Sequence, residues 1–113
     1  MAGPVRGYEI REYLRDDGNS PFRDWLEDLS VSTHARVQAR IARFEAGNIG
    51  DTKSVGGGVQ EARFHFGPGY RLYFGVDGQS VILLLCGGDK GSQRNDIRRA
   101  QRFWKDYLAR GET

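Results

Sequence analysis

Four side chains of this sequence could together meet a polyanion: Arg63, His65 and Arg71, which flank Gly67-Pro68-Gly69, and Lys90, which follows Gly87-Gly88. Arginine presents a planar fork that holds two phosphate oxygens at once, lysine adds a mobile point charge, and histidine moves protons near neutral pH. RNA carries its own nucleophile, the 2′-hydroxyl. A protein that cleaves it need only orient that group, neutralise the charge developing on the phosphoryl oxygens and return a proton to the leaving oxygen. The same residues have ordinary roles too. Arg63 and Arg71 can pair with Glu61 or with helix carboxylates, His65 can be a plain hydrogen-bonding side chain, and the two glycines can be a simple turn.

Other chemistries fit less well. His34 and His65 are the only histidines, and Cys86 is the only cysteine, so neither a cysteine-rich metal site nor an intrachain disulfide is expected. No serine, histidine and acid set is legible, and Gly87-Gly88-Asp89-Lys90 is too short for a nucleotide-binding P-loop. No cofactor is called for.

The positioning elements can be read from hydrophobic period and turn residues. Residues 8–14 alternate as a first strand, with Tyr8, Ile10 and Leu14 on one side. Ser20-Pro21 starts a helix carrying Phe22, Trp25, Leu26 and Leu29, and Ser32 caps a second helix to about Ala46. In that second helix Val37, Ile41 and Phe44 face inward, while Arg36, Arg40 and Arg43 lie on another face. The polar, glycine-rich residues 50–58 read as a flexible connection. Strands at 59–66, 70–76 and 80–86 then form an antiparallel meander.

A three-residue turn at Gly67-Pro68-Gly69 would pair Phe66 with Tyr70, Phe64 with Leu72, His65 with Arg71 and Arg63 with Tyr73; a two-residue slip would keep the faces and change the neighbours. One side of the hairpin is then aromatic core, and the other is a working side of Arg63, His65, Arg71 and Tyr73. Last, Ser92 caps a helix to about Leu108, with Ile97, Ala100, Trp104 and Leu108 inward and Arg94, Arg98, Arg102 and Lys105 as an outward ridge, available to RNA or simply solvated. The expected class is α+β: an N-terminal strand and a three-strand meander in a small antiparallel sheet, packed against two N-terminal helices and a C-terminal helix.

With 113 residues the chain suits a single domain, 1–113. Its formal net charge of +2 hides an asymmetry: residues 90–110 hold seven cations against two acids, while residues 9–28 hold seven acids. No apolar signal core is visible at the N-terminus, and the longest apolar run, 81–86, is far below membrane-spanning length, so a cytoplasmic location and no membrane partner are expected.

Glu61-Ala62-Arg63, Gly67-Pro68-Gly69-Tyr70-Arg71-Leu72-Tyr73-Phe74, and Leu83-Leu84-Leu85-Cys86-Gly87-Gly88-Asp89-Lys90 with Gln93, Asp96, Ile97 and Ala100 resemble the RelE/ParE toxin superfamily, in particular its HigB-like, phage Gp49-related addiction-module killer branch. The likeness spans residues 8–108 and is most specific over 61–100. It implies a RelE-like fold and a bacterial type II toxin neutralised by a cognate antitoxin, in this branch often a small helix-turn-helix protein. Its RelE-like members cleave mRNA in the ribosomal A site without metal, through attack of the 2′-hydroxyl and formation of a cyclic phosphate. By the resemblance, Arg71 contacts the scissile phosphate, and Arg63 and Lys90 take the places of further basic residues. The family's late tyrosine has no match at the right distance after Lys90, Tyr107 lying too far along, so His65 and Tyr73 are the local candidates for proton transfer. ParE-like members share the fold but inhibit DNA gyrase without cutting RNA. An RNA-binding module without turnover is a third alternative.

Two expectations expose the cleavage assignment to the structure. The cations must share one side and not be locked onto buried carboxylates, and Arg71→Ala should remove most cleavage while sparing the fold.

Overall fold

The computed structural model describes residues 7–111, so the N-terminal stretch read above for a targeting signal lies outside the described residues. The chain forms an α+β unit in the order β1 (Glu9–Glu12), α1 (Pro21–Glu27), α2 (Val31–Glu45), β2 (Thr52–Gly56), β3 (Val59–Arg63), β4 (Arg71–Asp77), β5 (Val81–Gly88), a short 3-10 turn (Lys90–Ser92) and α3 (Gln93–Arg110). One five-stranded sheet runs β1-β5-β4-β3-β2. Among the described residues no helix is long and apolar enough to cross a membrane.

The sheet is mixed, which corrects the antiparallel expectation: β1 lies parallel to β5 at one edge, and the other pairs are antiparallel. Only residues 9–12 pair. Tyr8 and Ile10 pack on the core as expected, but Leu14 is 47% exposed, and Tyr13 is the buried residue, stacked 4.9 Å from Phe103. The supposed flexible connection at 50–58 contains edge strand β2, which turns into β3 through three consecutive glycines with positive φ. Such a turn needs residues free of Cβ strain, and at Gly58 a Cβ would also collide with the Trp104 indole. A glycine run that reads as mobility is here a tight turn fitted under a tryptophan.

Helix starts follow side-chain caps. Ser20 accepts a hydrogen bond from the Arg23 amide with Pro21 in the first turn, as expected, whereas α2 is capped by Ser30, not Ser32, through the Thr33 amide. Asp89 accepts from the amides of Gly91 and Ser92 and caps the turn that leads into α3; Ser92 makes no side-chain cap for the helix itself. Within α3, Ala100, Phe103 and Trp104 are buried, and Leu108, assigned inward from its spacing, is 40% exposed.

Helices cover both faces of the sheet. Phe22 and Leu26 of α1 and Val37 and Phe44 of α2 pack with Ala62, Leu72, Phe74, Ile82 and Leu84. On the opposite face Ala100, Phe103 and Trp104 of α3 pack with Val59, Tyr73, Leu83 and Leu85. The side of the hairpin expected to be a working surface is therefore largely a second core. Only its end, near the link between β3 and β4, stays open.

Candidate functional site: a basic corner at the end of the sheet

The corner is assembled by two loops. β3 and β4 pair with Arg63 opposite Arg71, Ala62 opposite Leu72 and Glu61 opposite Tyr73, so the register is slipped by two residues from the tight-turn expectation. The slip preserves side-chain faces because strands have a period of two. The link is longer than three residues: Phe66 and Tyr70 meet outside the ladder as tilted rings 5.6 Å apart, the Phe64 amide bonds back to the Tyr70 carbonyl, and the Gly69 amide closes a turn onto the Phe66 carbonyl. The second loop is reached along β5, whose Gly87 and Gly88 lie within the strand. A Cβ at Gly87 would collide with Trp25, and one at Gly88 with the Asp96 carboxylate, so helices on both faces require the bare backbone. The Lys90 amide donates to the Pro68 carbonyl at 3.3 Å and ties the loops together.

That tie places the cations. Gly69, with φ of 79°, sits between Arg71 and Lys90: a Cβ there would lie 3.0 Å from Arg71 Nη1 and 3.4 Å from Lys90 Cβ. Arg63, His65, Arg71 and Lys90 all line one open cavity of about 240 Å³. The sharing of one side, required of these groups, is thus met.

Two networks hold the corner. Below, Glu61 is fully buried; it accepts a hydrogen bond from the Tyr73 hydroxyl at 3.0 Å and from the Gln93 amide at 2.9 Å, with Arg71 Nε 3.6 Å from the same oxygen. Arg71 also donates from Nη1 to the Gly69 carbonyl at 2.7 Å, and its side chain is only 12% exposed. At the surface, Asp51 receives His65 Nε2 on one oxygen at 2.6 Å and faces Arg63 Nη2 with the other at 3.5 Å. The hydrogen bond from His65, aided by the Arg63 charge, holds the Asp51 carboxyl below its usual range.

Three expectations change here. Tyr73 is fully buried; burial and then the Glu61 carboxylate push its phenol well above 10, so it takes no part in proton transfer to a ligand in the cavity. Arg71 is held against a buried carboxylate, the condition set against its role, although it still lines the cavity. Arg71→Ala cannot spare the fold as expected, because it leaves Glu61 without its cation. Tyr107 hydrogen-bonds Asp77 at 2.6 Å, stacks on Trp104 and lines neither side of the corner, in keeping with its distant sequence position. Cys86 is buried and its thiol is raised to about 12 by that burial, which removes it as a nucleophile.

Arg94, Arg98 and Arg102 of α3 are exposed, as the ridge required, and line neither this cavity nor its neighbour. Asp51 is the participant that sequence reasoning missed. Its one signal is that it is the only acid between Glu45 and Glu61.

The fold and this corner together define a small α+β protein with a mixed sheet and a cation-lined cavity at one end of it. No protein-family model matches the chain. It is 43% identical over 81 residues to an uncharacterized protein of Haemophilus influenzae, a match covering 71% of this chain and 82% of the other, and it belongs to that protein's family.

Proposed function

We propose that this chain has a RelE-like fold and is the toxin of a type II toxin-antitoxin pair, an endoribonuclease that cuts mRNA in the ribosomal A site and is silenced by a small cognate antitoxin. The observation that carries this reading is the convergence of Arg63, His65, Arg71 and Lys90 on one open cavity, with His65 oriented by Asp51. Because His65 Nε2 donates to the carboxylate, Nδ1 is left to accept the proton of the 2′-hydroxyl. The 2′-oxygen then bonds to phosphorus, the bond to the 5′-oxygen breaks, and the imidazolium returns its proton to that oxygen, leaving a 2′,3′-cyclic phosphate and a free 5′-hydroxyl. Arg63 and Lys90 offset the charge on the non-bridging oxygens. Arg71, tied to Glu61 and Gly69, chiefly shapes the cavity floor and adds positive field.

One observation favours a second reading. The tying of Arg71 and the burial of Tyr73 suit a protein that binds without turnover, whether an RNA or, in the ParE manner, DNA gyrase.

The deciding experiment expresses the chain alone in bacteria, follows growth and maps transcript 5′ ends. Ribosome-dependent cleavage predicts growth arrest with new ends inside reading frames, and His65→Ala should reduce cutting by about 10²–10⁴-fold. Arrest with intact transcripts and DNA breaks would favour the gyrase reading, and full cleavage by an Arg63→Ala, His65→Ala double variant would overturn the site.

A further inference from the structure

A larger cavity, about 470 Å³, opens on the other side of the same loop, between α2 and the end of β3. Arg36, Arg40 and Arg43 line it from α2; their spacing of four and three residues puts them on one helical stripe. Arg63, His65 and Phe66 line it from the other side, and these three also line the basic corner. The two cavities therefore share a wall, and a flexible chain can cross from one to the other over His65.

Charge in the larger cavity is poorly balanced. Four arginines face Asp51 alone among its lining residues, and both oxygens of that carboxylate already serve His65 and Arg63. Arg36, Arg40 and Arg43 make no ion pair among the described residues. Arg40 is the telling member: it is 6% exposed, its guanidinium is held by the backbone carbonyls of Arg63 and Asp51 at 2.8 Å each, and no carboxylate pairs with it. Burial and the neighbouring Arg43 disfavour its charge, a cost that an anion in the cavity would relieve. The Arg36 guanidinium carbon lies over the Phe66 ring, 4.2 Å from its centre, so a cation backed by an aromatic ring forms a platform at the shared wall.

We propose that this cavity is a second subsite for single-stranded RNA, in which Arg36 and Arg43 hold backbone phosphates flanking the nucleotide at His65 and a base stacks on the platform of Arg36 and Phe66. Guanidinium forks suit phosphates, and a planar surface beside them suits an unstacked base, a combination that a purely acidic peptide would leave half used. This subsite rests on the proposed reading of the corner as an RNA site.

The test measures fluorescence anisotropy of a labelled oligo(A) of about 12 nucleotides against the purified chain over a range of salt. Each lost phosphate contact should lower the slope of log affinity against log salt by about 0.7, so Arg36→Ala with Arg43→Ala should lower it by about 1.4. Binding should weaken by about tenfold near physiological salt. Both residues are exposed, and circular dichroism and thermal unfolding of the variant serve as the folding control. Arg36→Lys with Arg43→Lys should keep the slope and lose only the affinity due to stacking and forked contacts.

An unchanged slope in a folded alanine variant overturns the subsite, as does equal binding of a poly-glutamate peptide of matching charge. The two proposals fail separately. Normal oligo(A) binding by His65→Ala with no transcript cleavage by the wild type would remove the nuclease and keep the groove, whereas cleavage with a slope indifferent to Arg36 and Arg43 would do the reverse.

Discussion

The two carboxylates that meet arginines at this corner, Glu61 and Asp51, are held by opposite means. Glu61 is sealed between β4 and α3 and is bonded by Tyr73 and Gln93, with Arg71 beside it; Asp51 is 46% exposed and holds His65 and Arg63 at the surface. An arginine beside a carboxylate looks alike in both cases, yet burial gives the pairs different work. In a water-poor site the loss of one partner strands the other, so the inner network is a structural joint. At the surface water replaces a lost partner cheaply, so the outer network is free to exchange its partners for a ligand.

The largest expected effect separates the networks directly. Glu61→Ala should destabilise the fold by about 3–5 kcal/mol in chemical denaturation, since it leaves the Arg71 charge uncompensated and the Tyr73 hydroxyl without an acceptor. A loss below about 1 kcal/mol would mean that Glu61 is no more structural than an exposed acid.

Alkaline titration gives the next effect. The Tyr73 phenol is raised above its ordinary 10.0 in the fold by burial, so its contribution is complete below pH 10 and is lost as pH rises toward the folded value. Between pH 10 and that folded value stability should fall by up to about 1.4 kcal/mol per pH unit, and Tyr73→Phe should flatten the slope. Tyr13 and Tyr107 are also raised, through burial and Asp106 for the first and chiefly through Asp77 for the second, so the difference between variant and wild type is the quantity to read.

Asp51 should give the smallest effect on stability. Its carboxyl is lowered in the fold, chiefly by His65, so whatever it contributes is present above the ordinary 3.8 and is lost as pH falls through the folded value. Asp51→Asn should leave the unfolding midpoint at neutral pH near that of the wild type while impairing RNA cleavage through a misoriented His65. Unfolding curves and transcript mapping on the same variant check both halves, and a large stability loss would erase the contrast with Glu61.

Much of this was legible in the chain. Ser20-Pro21, the three meander strands, the aromatic core and the outward ridge of α3 followed from caps and periodicity, because those signals are local. So were the four cations of the corner, though not their status. Residue type cannot show that Arg71 lies over a buried acid, since that depends on α3 crossing the sheet face and bringing Gln93 to Glu61. Nor can a period of two show that both faces of β4 are covered, because Arg71 and Tyr73 are polar enough to suggest solvent. The glycines misled for a related reason: Gly58 and Gly87 answer to Trp104 and Trp25, residues far away in sequence. Asp51 was missed because it precedes an edge strand with little apolar content, where no pattern marks it.

The parallel pairing of β1 with β5 has a consequence for how the molecule comes into being. The first strand finds its neighbour only when a segment about 70 residues later has emerged, so a growing chain must hold Glu9–Glu12 in waiting while the hairpins form. A ribosome making this protein releases the loop at 64–70, with Arg63 and Arg71 at its two ends, before it releases β5, which closes the edge of the sheet, and before α3, which buries Glu61. The corner is complete only once Lys90 and Gln93, the last of its parts along the chain, have been added.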